Sequence, residues 1–283
     1  MTAADSLRAE DWAGEMGARW LAHLDRFESM IAPVGAALLV RADYRPGERV
    51  VDVGCGGGAS TRAIAAQVTP GGVVVGVDVS PDLVAEAERR AELAGAANVR
   101  FVTADAATVT LPDAPFDRLH SRFGSMFFAE PAPAFCNLAR LLKSGGRADF
   151  AVWAAAKDSP WVAELMGVLR RHIDMPKPAP HAPGPFALDD PEYFGGLLGQ
   201  AGFTDVDFQL WRGTQWIGGP GASPDDALDF LLHAMSFGDV VNEQPPALQK
   251  VIHDELLGLF RKHASAAGVG MEAIAWLVAA RRS

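Results

Sequence analysis

Along the first thirty residues the apolar positions recur at threes and fours: Trp12, Met16, Trp20, Leu24, Phe27 and Ile31. That spacing is one face of an α-helix, and it predicts a helix over 6–30 whose stripe lies on the main body. Pro33 is expected to close it, with a short second apolar segment over 34–40. The turn chemistry of Tyr44-Arg45-Pro46-Gly47-Glu48 then opens a different rhythm. Short apolar runs alternate with helical patterns, giving strands at 49–53, 73–77, 99–103, 116–121 and 147–153. Helices are predicted at 60–68, 81–95 and 133–142, the second with Ser80 as N-cap and Pro81 at its first position. Strands separated in this way belong to a parallel, doubly wound sheet with helices on both faces.

The second half is less regular. Helices are predicted over 161–173, 189–201, 225–237 and 246–264, and strands over 203–211 and 271–281. The last strand places Ile274, Trp276 and Val278 on one face. Five prolines between 175 and 185 require an extended loop, and 218–224 is a break. The fold class is therefore α/β, a doubly wound, mostly parallel sheet of seven strands. Residues 1–45 are expected to form an N-terminal helical lid, and 46–283 a single domain with cap insertions at about 158–200 and 222–268.

One stretch organises this pattern. Residues 50–61 read VVDVGCGGGAST: an apolar strand end, a glycine turn and a helix start. Missing Cβ atoms let backbone approach a ligand, and a helix N-terminus offers unpaired N–H groups. In open α/β sheets ligands bind beyond the carboxyl ends of the strands. Three carboxylates fall there: Asp52 before the turn, Asp78 closing the second strand and Asp105 closing the third. Asp78 follows Asp52 by 26 residues, one βα unit, and can accept from both hydroxyls of a ribose. Asp105 suits an exocyclic amine, with the Ala106 N–H donating to the adjoining ring nitrogen. Asp52 suits an ammonium, directly or through water.

Composition narrows the partners. The chain has 283 residues, 49% of them hydrophobic, and a net charge of −10. No run of Lys or Arg tracks a phosphate backbone, so nucleic acid is not an expected partner. The first fifteen residues carry Asp5, Glu10, Asp11 and Glu15, unlike a signal peptide, and the run 31–40 is too short to cross a bilayer. The expectation is a cytoplasmic protein without a membrane partner. Cys55 and Cys136 have no metal-ligand spacing and read as small packing residues, so no metal is expected.

The motifs VVDVGCGGG (50–58), VVGVDVS (74–80), VTADA (102–106) and FDRLHSRFGSMFF (116–128) together resemble class I S-adenosylmethionine-dependent methyltransferases. The likeness is to the small-molecule group of ubiquinone and menaquinone biosynthesis, and it covers about 12–153. Beyond that it thins to AGFTDV (201–206) and the final strand. The resemblance implies a Rossmann-like fold, the cofactor S-adenosyl-L-methionine, and methyl transfer to a small-molecule acceptor. It implies that Gly54, Cys55, Gly56 and Gly58 pack under the methionine part, that Asp78 holds the ribose, and that Val79 lies by the adenine. It further implies that Asp105 and Ala106 read the adenine edge, that Ser121 lies by the methyl-transfer channel, and that Trp20 covers the cofactor.

Arg122, Phe123, Met126, Phe127 and Phe128 follow the fourth strand at the mouth of such a site, and Arg122, Met126 and Phe127 are singled out from them. Together with Trp153 and His181 they are the residues expected to meet substrate, while Trp161, Trp211 and Trp216 either join an aromatic pocket or fill a core. His120 reads as a hydrogen-bonded core histidine. The acceptor expected is small, apolar or aromatic, methylated on O, N or C, with no catalytic group assigned and a homodimer left open. Two alternatives stand beside this reading. One is a protein that binds S-adenosylmethionine without methyl transfer. The other is an NAD-dependent oxidoreductase, since Gly54, Gly56 and Ala59 also satisfy G-x-G-x-x-G/A; Asp52 ahead of the turn would repel its pyrophosphate.

Overall fold

The valine-rich runs pair into one sheet in the computed structural model, which describes residues 9–175 and 179–283. Its strands are β1 (Arg49–Val53), β2 (Val73–Asp78), β3 (Val99–Thr103), β4 (Phe116–Arg122), β5 (Leu142–Trp153), β6 (Phe203–Ile217), β7 (Ala264–Ser265) and β8 (Gly268–Arg282). The order is β3-β2-β1-β4-β5-β8-β6, with the two-residue β7 turned back on β8. Strands β1 to β5 run parallel, and β8 enters antiparallel between β5 and β6. This is the seven-stranded, Rossmann-like arrangement expected, with one short strand added. Because β1 pairs on one side with β2 and on the other with β4, chain direction across the sheet reverses there. That reversal is the switch point where an open α/β sheet leaves a crevice.

The helices are α1 (Ala9–Ala13), α2 (Glu15–Ala22), α3 (Leu24–Ala42), α4 (Ala59–Gln67), α5 (Pro81–Leu93), α6 (Pro131–Arg140), α7 (Pro160–Leu169), α8 (Pro191–Gln200), α9 (Pro224–Ala234), α10 (Ser236–Asn242) and α11 (Pro246–His263). The predicted cap of α5 is in place, since the Leu83 N–H donates to Ser80 Oγ at 3.4 Å; on α9, Ser223 with Asp226 closes a reciprocal capping box.

Three departures from the pattern have local causes. The N-terminal stripe is interrupted at Gly14 and His23, so it makes three helices rather than one. Pro33 lies inside α3 instead of ending a helix. An interior proline costs about 3 kcal/mol, yet α3 buries Phe27, Met30, Ile31, Val34 and Leu38 against the sheet. At roughly 1.5–3 kcal/mol per large side chain, that burial outweighs the break. Strand β6 runs on to Ile217 because Arg212 through Ile217 keep pairing with β8 although much of its surface stays exposed. An edge strand with little burial carries a weak alternation, which is why its sequence understates its length.

A buried polar cluster ties α3 to the sheet. Arg118 donates to Asp149 at 2.7 Å and to the Ala42 carbonyl at 2.6 Å, and Arg147 donates to the other oxygen of Asp149 at 2.6 Å. His120 is fully buried, its Nδ1 2.9 Å from the Tyr44 hydroxyl. Burial pushes its imidazole down to about 3, so it is the neutral core histidine that the sequence suggested.

Candidate functional site

A cavity of about 380 Å³ opens at the switch point, walled by the carboxyl ends of β1 to β5 and by the N-terminal helices. Its size falls within the ~300–1,000 Å³ of small-molecule sites. Helix α5, whose start contributes Leu83, lies beyond the second strand.

The glycine turn is built by close backbone approach. Gly54 has φ +67°, and a Cβ on it would lie 2.6 Å from Gly124 Cα. A Cβ on Gly124 would in turn meet Gly54 Cα at 2.7 Å and the Val53 carbonyl at 2.8 Å. The ends of β1 and β4 therefore touch backbone to backbone, and neither glycine tolerates a side chain. Gly56 follows at φ +52°, where a Cβ would reach the Trp20 indole nitrogen at 3.9 Å.

The carboxylates divide by role. Asp78 lines the cavity with both oxygens engaged: Oδ2 accepts the Gly56 N–H at 2.8 Å and Oδ1 the Ser80 N–H at 3.0 Å. Burial raises its pKa, and the backbone donors partly offset that rise. Asp105 and Ala106 line the wall beyond β3; Asp105 Oδ1 accepts from the Ala107 N–H at 2.8 Å, which fixes the loop. Asp52 differs. It is fully buried behind the turn, and its Oδ2 accepts from Ser60 Oγ and Thr61 Oγ1, both at 2.7 Å. The direct ammonium contact expected of it is corrected on this geometry, since its carboxylate pins the start of α4 to the end of β1.

Other expected residues separate in the same way. Trp20, Gly54, Cys55, Gly56, Asp78, Val79, Asp105, Ala106, Arg122, Met126, Phe127 and Trp153 all line the cavity. Gly58 does not, because it caps α4 in the left-handed region and packs on Phe101 and Ala87. Ser121 is buried, its Oγ accepting the Ser125 N–H at 3.2 Å. His181 stacks on Tyr193 with ring centroids 3.7 Å apart, away from the cavity wall; Pro185 and Phe186 of the same loop line the wall instead. Cys55 is buried, and that burial pushes its thiol well up, which removes any nucleophilic role.

Aromatic rings close the remaining walls. Trp20 stacks on Phe27 at 3.9 Å, and Trp12 meets Phe127 edge to face at 4.8 Å. Phe123 stacks on Trp153 at 4.1 Å, with Trp161 6.0 Å beyond. Phe123 holds φ +64°, a left-handed backbone that costs a non-glycine residue roughly 1–3 kcal/mol. The sequence reading missed Glu28 and Gly124. Glu28 sits between Phe27 and Ile31 in the helical stripe, so one charged position beside an apolar face was the available signal. Gly124 stands two residues past the end of strand β4, and a glycine just beyond a strand end was its signal.

The strand order, the glycine turn and acids closing successive strands define a class I S-adenosylmethionine-dependent methyltransferase domain. Gly56 N–H is already held by the Asp78 carboxylate, so the turn presents an acid where a dinucleotide's pyrophosphate would need donors. Known proteins agree with this class. Residues 50–146 match the family described as "Methyltransferase domain". The chain is 33% identical over 118 residues to aklanonic acid methyltransferase DauC of Streptomyces sp. (strain C5), covering 42% of this chain and 54% of that one. It is 38% identical over 104 residues to the ubiquinone/menaquinone biosynthesis C-methyltransferase UbiE of Ectopseudomonas mendocina (strain ymp), covering 36% and 41%. The chain thus spans about half or less of the length of these curated relatives. The YcgJ protein of Bacillus subtilis shares the fold, with TM-score 0.57, 20% identity, and coverage of 88% of this chain and 97% of that one. Among the described residues no helix is long and apolar enough to cross a membrane, and no cluster of His, Cys, Asp and Glu could hold a metal ion.

Proposed function

We propose that this protein transfers the methyl group of S-adenosylmethionine to a small, apolar or aromatic acceptor. The observation that carries the reading is one continuous cavity with two kinds of wall. Residues from β1 to β3, namely Gly54, Gly56, Asp78, Val79, Asp105 and Ala106, bring backbone and carboxylates. Residues from β4, β5 and α7, including Phe123, Met126, Trp153 and Trp161, bring rings and apolar chains. The first wall suits an adenosyl group; the second suits a flat apolar partner placed beside it.

In this reading Asp78 accepts from the ribose hydroxyls, and Asp105 with Ala106 meets the adenine edge. Trp20 and Trp12 cover the sulfonium end, where aromatic faces favour a cation. Bound cofactor supplies an already activated methyl group, so the chain's own task is alignment and exclusion of water. Asp52 acts at a distance, by keeping the turn in register. Helices α1 to α3, within the 1–45 lid, form one roof of the cavity, and the insertions near 158–200 and 222–268 supply the rest through Trp161, Phe186, Met235 and Phe237.

The test is turnover. Purified protein incubated with S-adenosylmethionine and a panel of aromatic acceptors is expected to yield S-adenosylhomocysteine and a product heavier by one methylene. Tight binding of the cofactor with no methylated product from any panel member would favour binding without transfer.

A further inference from the structure

Four charged side chains line the cavity: Glu28, Asp78, Asp105 and Arg122. Asp78 and Asp105 belong to the ends of β2 and β3. The other two are paired with each other at the wall, where Arg122 Nη2 donates to Glu28 Oε2. Both side chains are nearly buried, at 10% and 13% exposure. Gly35 makes room for the arginine; a Cβ on it would lie 3.0 Å from Arg122 Cδ and 3.1 Å from Nη1.

The arginine is under-used. A guanidinium carries five N–H donors, and among the described residues Arg122 makes one hydrogen bond, the one to Glu28. Its Nε is buried with no partner. Buried donors left unpaired are costly, and a buried cation more so. At the edge of an otherwise aromatic cavity, spare donors of this kind match oxygen acceptors brought by a ligand.

We propose that Arg122 anchors the acceptor through an oxygen anion, either a carboxylate or an ionised acidic hydroxyl on an aromatic frame. Glu28 holds Arg122 in place and competes with that anion for it. This inference rests on the methyl-transfer reading for the word acceptor, but the anion preference is measured independently of turnover. A carboxylate fits the spare donors in planar, bidentate geometry, which Arg provides and Lys does not.

The experiment is calorimetry of the full chain with 2-naphthoate, 2-naphthamide and 2-naphthylmethylammonium, each with and without S-adenosylhomocysteine. A second pair, 4-nitrophenol and 4-nitroanisole, separates an acidic hydroxyl from a carboxylate as the anion's source. The expected result is that 2-naphthoate or 4-nitrophenolate binds at least tenfold more tightly than its neutral counterpart. Arg122→Gln removes that preference, Arg122→Lys keeps part of it, and all variants keep their melting transitions. Glu28→Gln is expected to tighten anion binding several-fold by removing the competitor, which a purely structural role for Glu28 would not do. Equal binding of anion and neutral probe, no binding of any probe, preference for the ammonium, or weaker anion binding in Glu28→Gln would overturn the inference. Failure of S-adenosylhomocysteine to bind would instead overturn the methyl-transfer reading, and the anion preference would still be decided by the runs without it.

Discussion

Replacing Asp78 by alanine separates the role of this carboxylate in the ligand site from its role in the fold. In the structure its oxygens already accept the Gly56 and Ser80 N–H groups, at 2.8 and 3.0 Å. A carboxylate has about four lone-pair sites, so about two remain for ribose hydroxyls. Hydrogen bonds to a charged group are worth about 1.5–3 kcal/mol each. Losing two removes about 3–6 kcal/mol, or roughly 10²–10⁴-fold in affinity at 1.4 kcal/mol per decade. The cost to the fold is smaller, because Gly56 borders the cavity and water from it can take over the freed N–H. At about 1–3 kcal/mol and roughly 2–4 °C per kcal/mol, the melting temperature should fall by about 2–12 °C. Calorimetric titration with S-adenosylhomocysteine reads the first effect and a thermal melt the second. Asp78→Asn keeps one acceptor and should recover part of the affinity. If Asp78→Ala binds within threefold of the parent while folded, the ribose assignment is wrong.

Further outcomes follow from the same geometry. Burial raises the Asp78 pKa above its ordinary 3.8, so on acidification the ionised form is lost earlier than for an exposed aspartate. Affinity for S-adenosylhomocysteine should therefore begin to fall at a higher pH than an ordinary aspartate would give, and a midpoint at or below 3.8 would contradict this. His120 is held down to about 3 from an ordinary 6.5, so the unfolded chain binds the extra proton between those values. Its contribution to stability is complete above pH 6.5 and is lost as pH falls towards 3; urea unfolding from pH 8 to 4 should show that slope, and His120→Asn should flatten it. Gly124→Ala drives a Cβ into Gly54 Cα and the Val53 carbonyl, and should cost about 1–3 kcal/mol or more as well as cofactor affinity. Native protein treated with a thiol reagent should be labelled at half-buried Cys136 before Cys55, and labelling in the reverse order would refute the packing role of Cys55.

The architecture was legible where one physical signal dominated. Strands β1 and β2 are short apolar runs bounded by glycine, proline and acid, and buried parallel strands leave few other readings. The start of α5 was equally plain, because Ser80-Pro81 cap and begin it. Pro33 misled because a local rule was outweighed by the burial of a whole helix face, which no window of neighbours reveals. The far end of β6 was hidden for the opposite reason: its residues are held by pairing to β8, with little burial to impose alternation.

In the site, position along the chain placed Asp78, Asp105, Gly54 and Gly56 at the cavity, since the ends of parallel strands share one edge. It could not tell which way Asp52 faces. An acid one residue from the strand end lies either toward the crevice or toward the helix behind it, and the hydroxyls of Ser60 and Thr61 settle the matter. Glu28 and Arg122 are 94 residues apart, and nothing local announces that they meet.

The central claim is most directly tested by a crystal structure with S-adenosylhomocysteine bound. The expected result is ribose hydroxyls on Asp78, the adenine edge on Asp105 and Ala106, and the thioether sulfur facing the space bounded by Arg122, Phe123 and Trp153. Cofactor density elsewhere, or a ribose that leaves Asp78 with only Gly56 and Ser80, would contradict it.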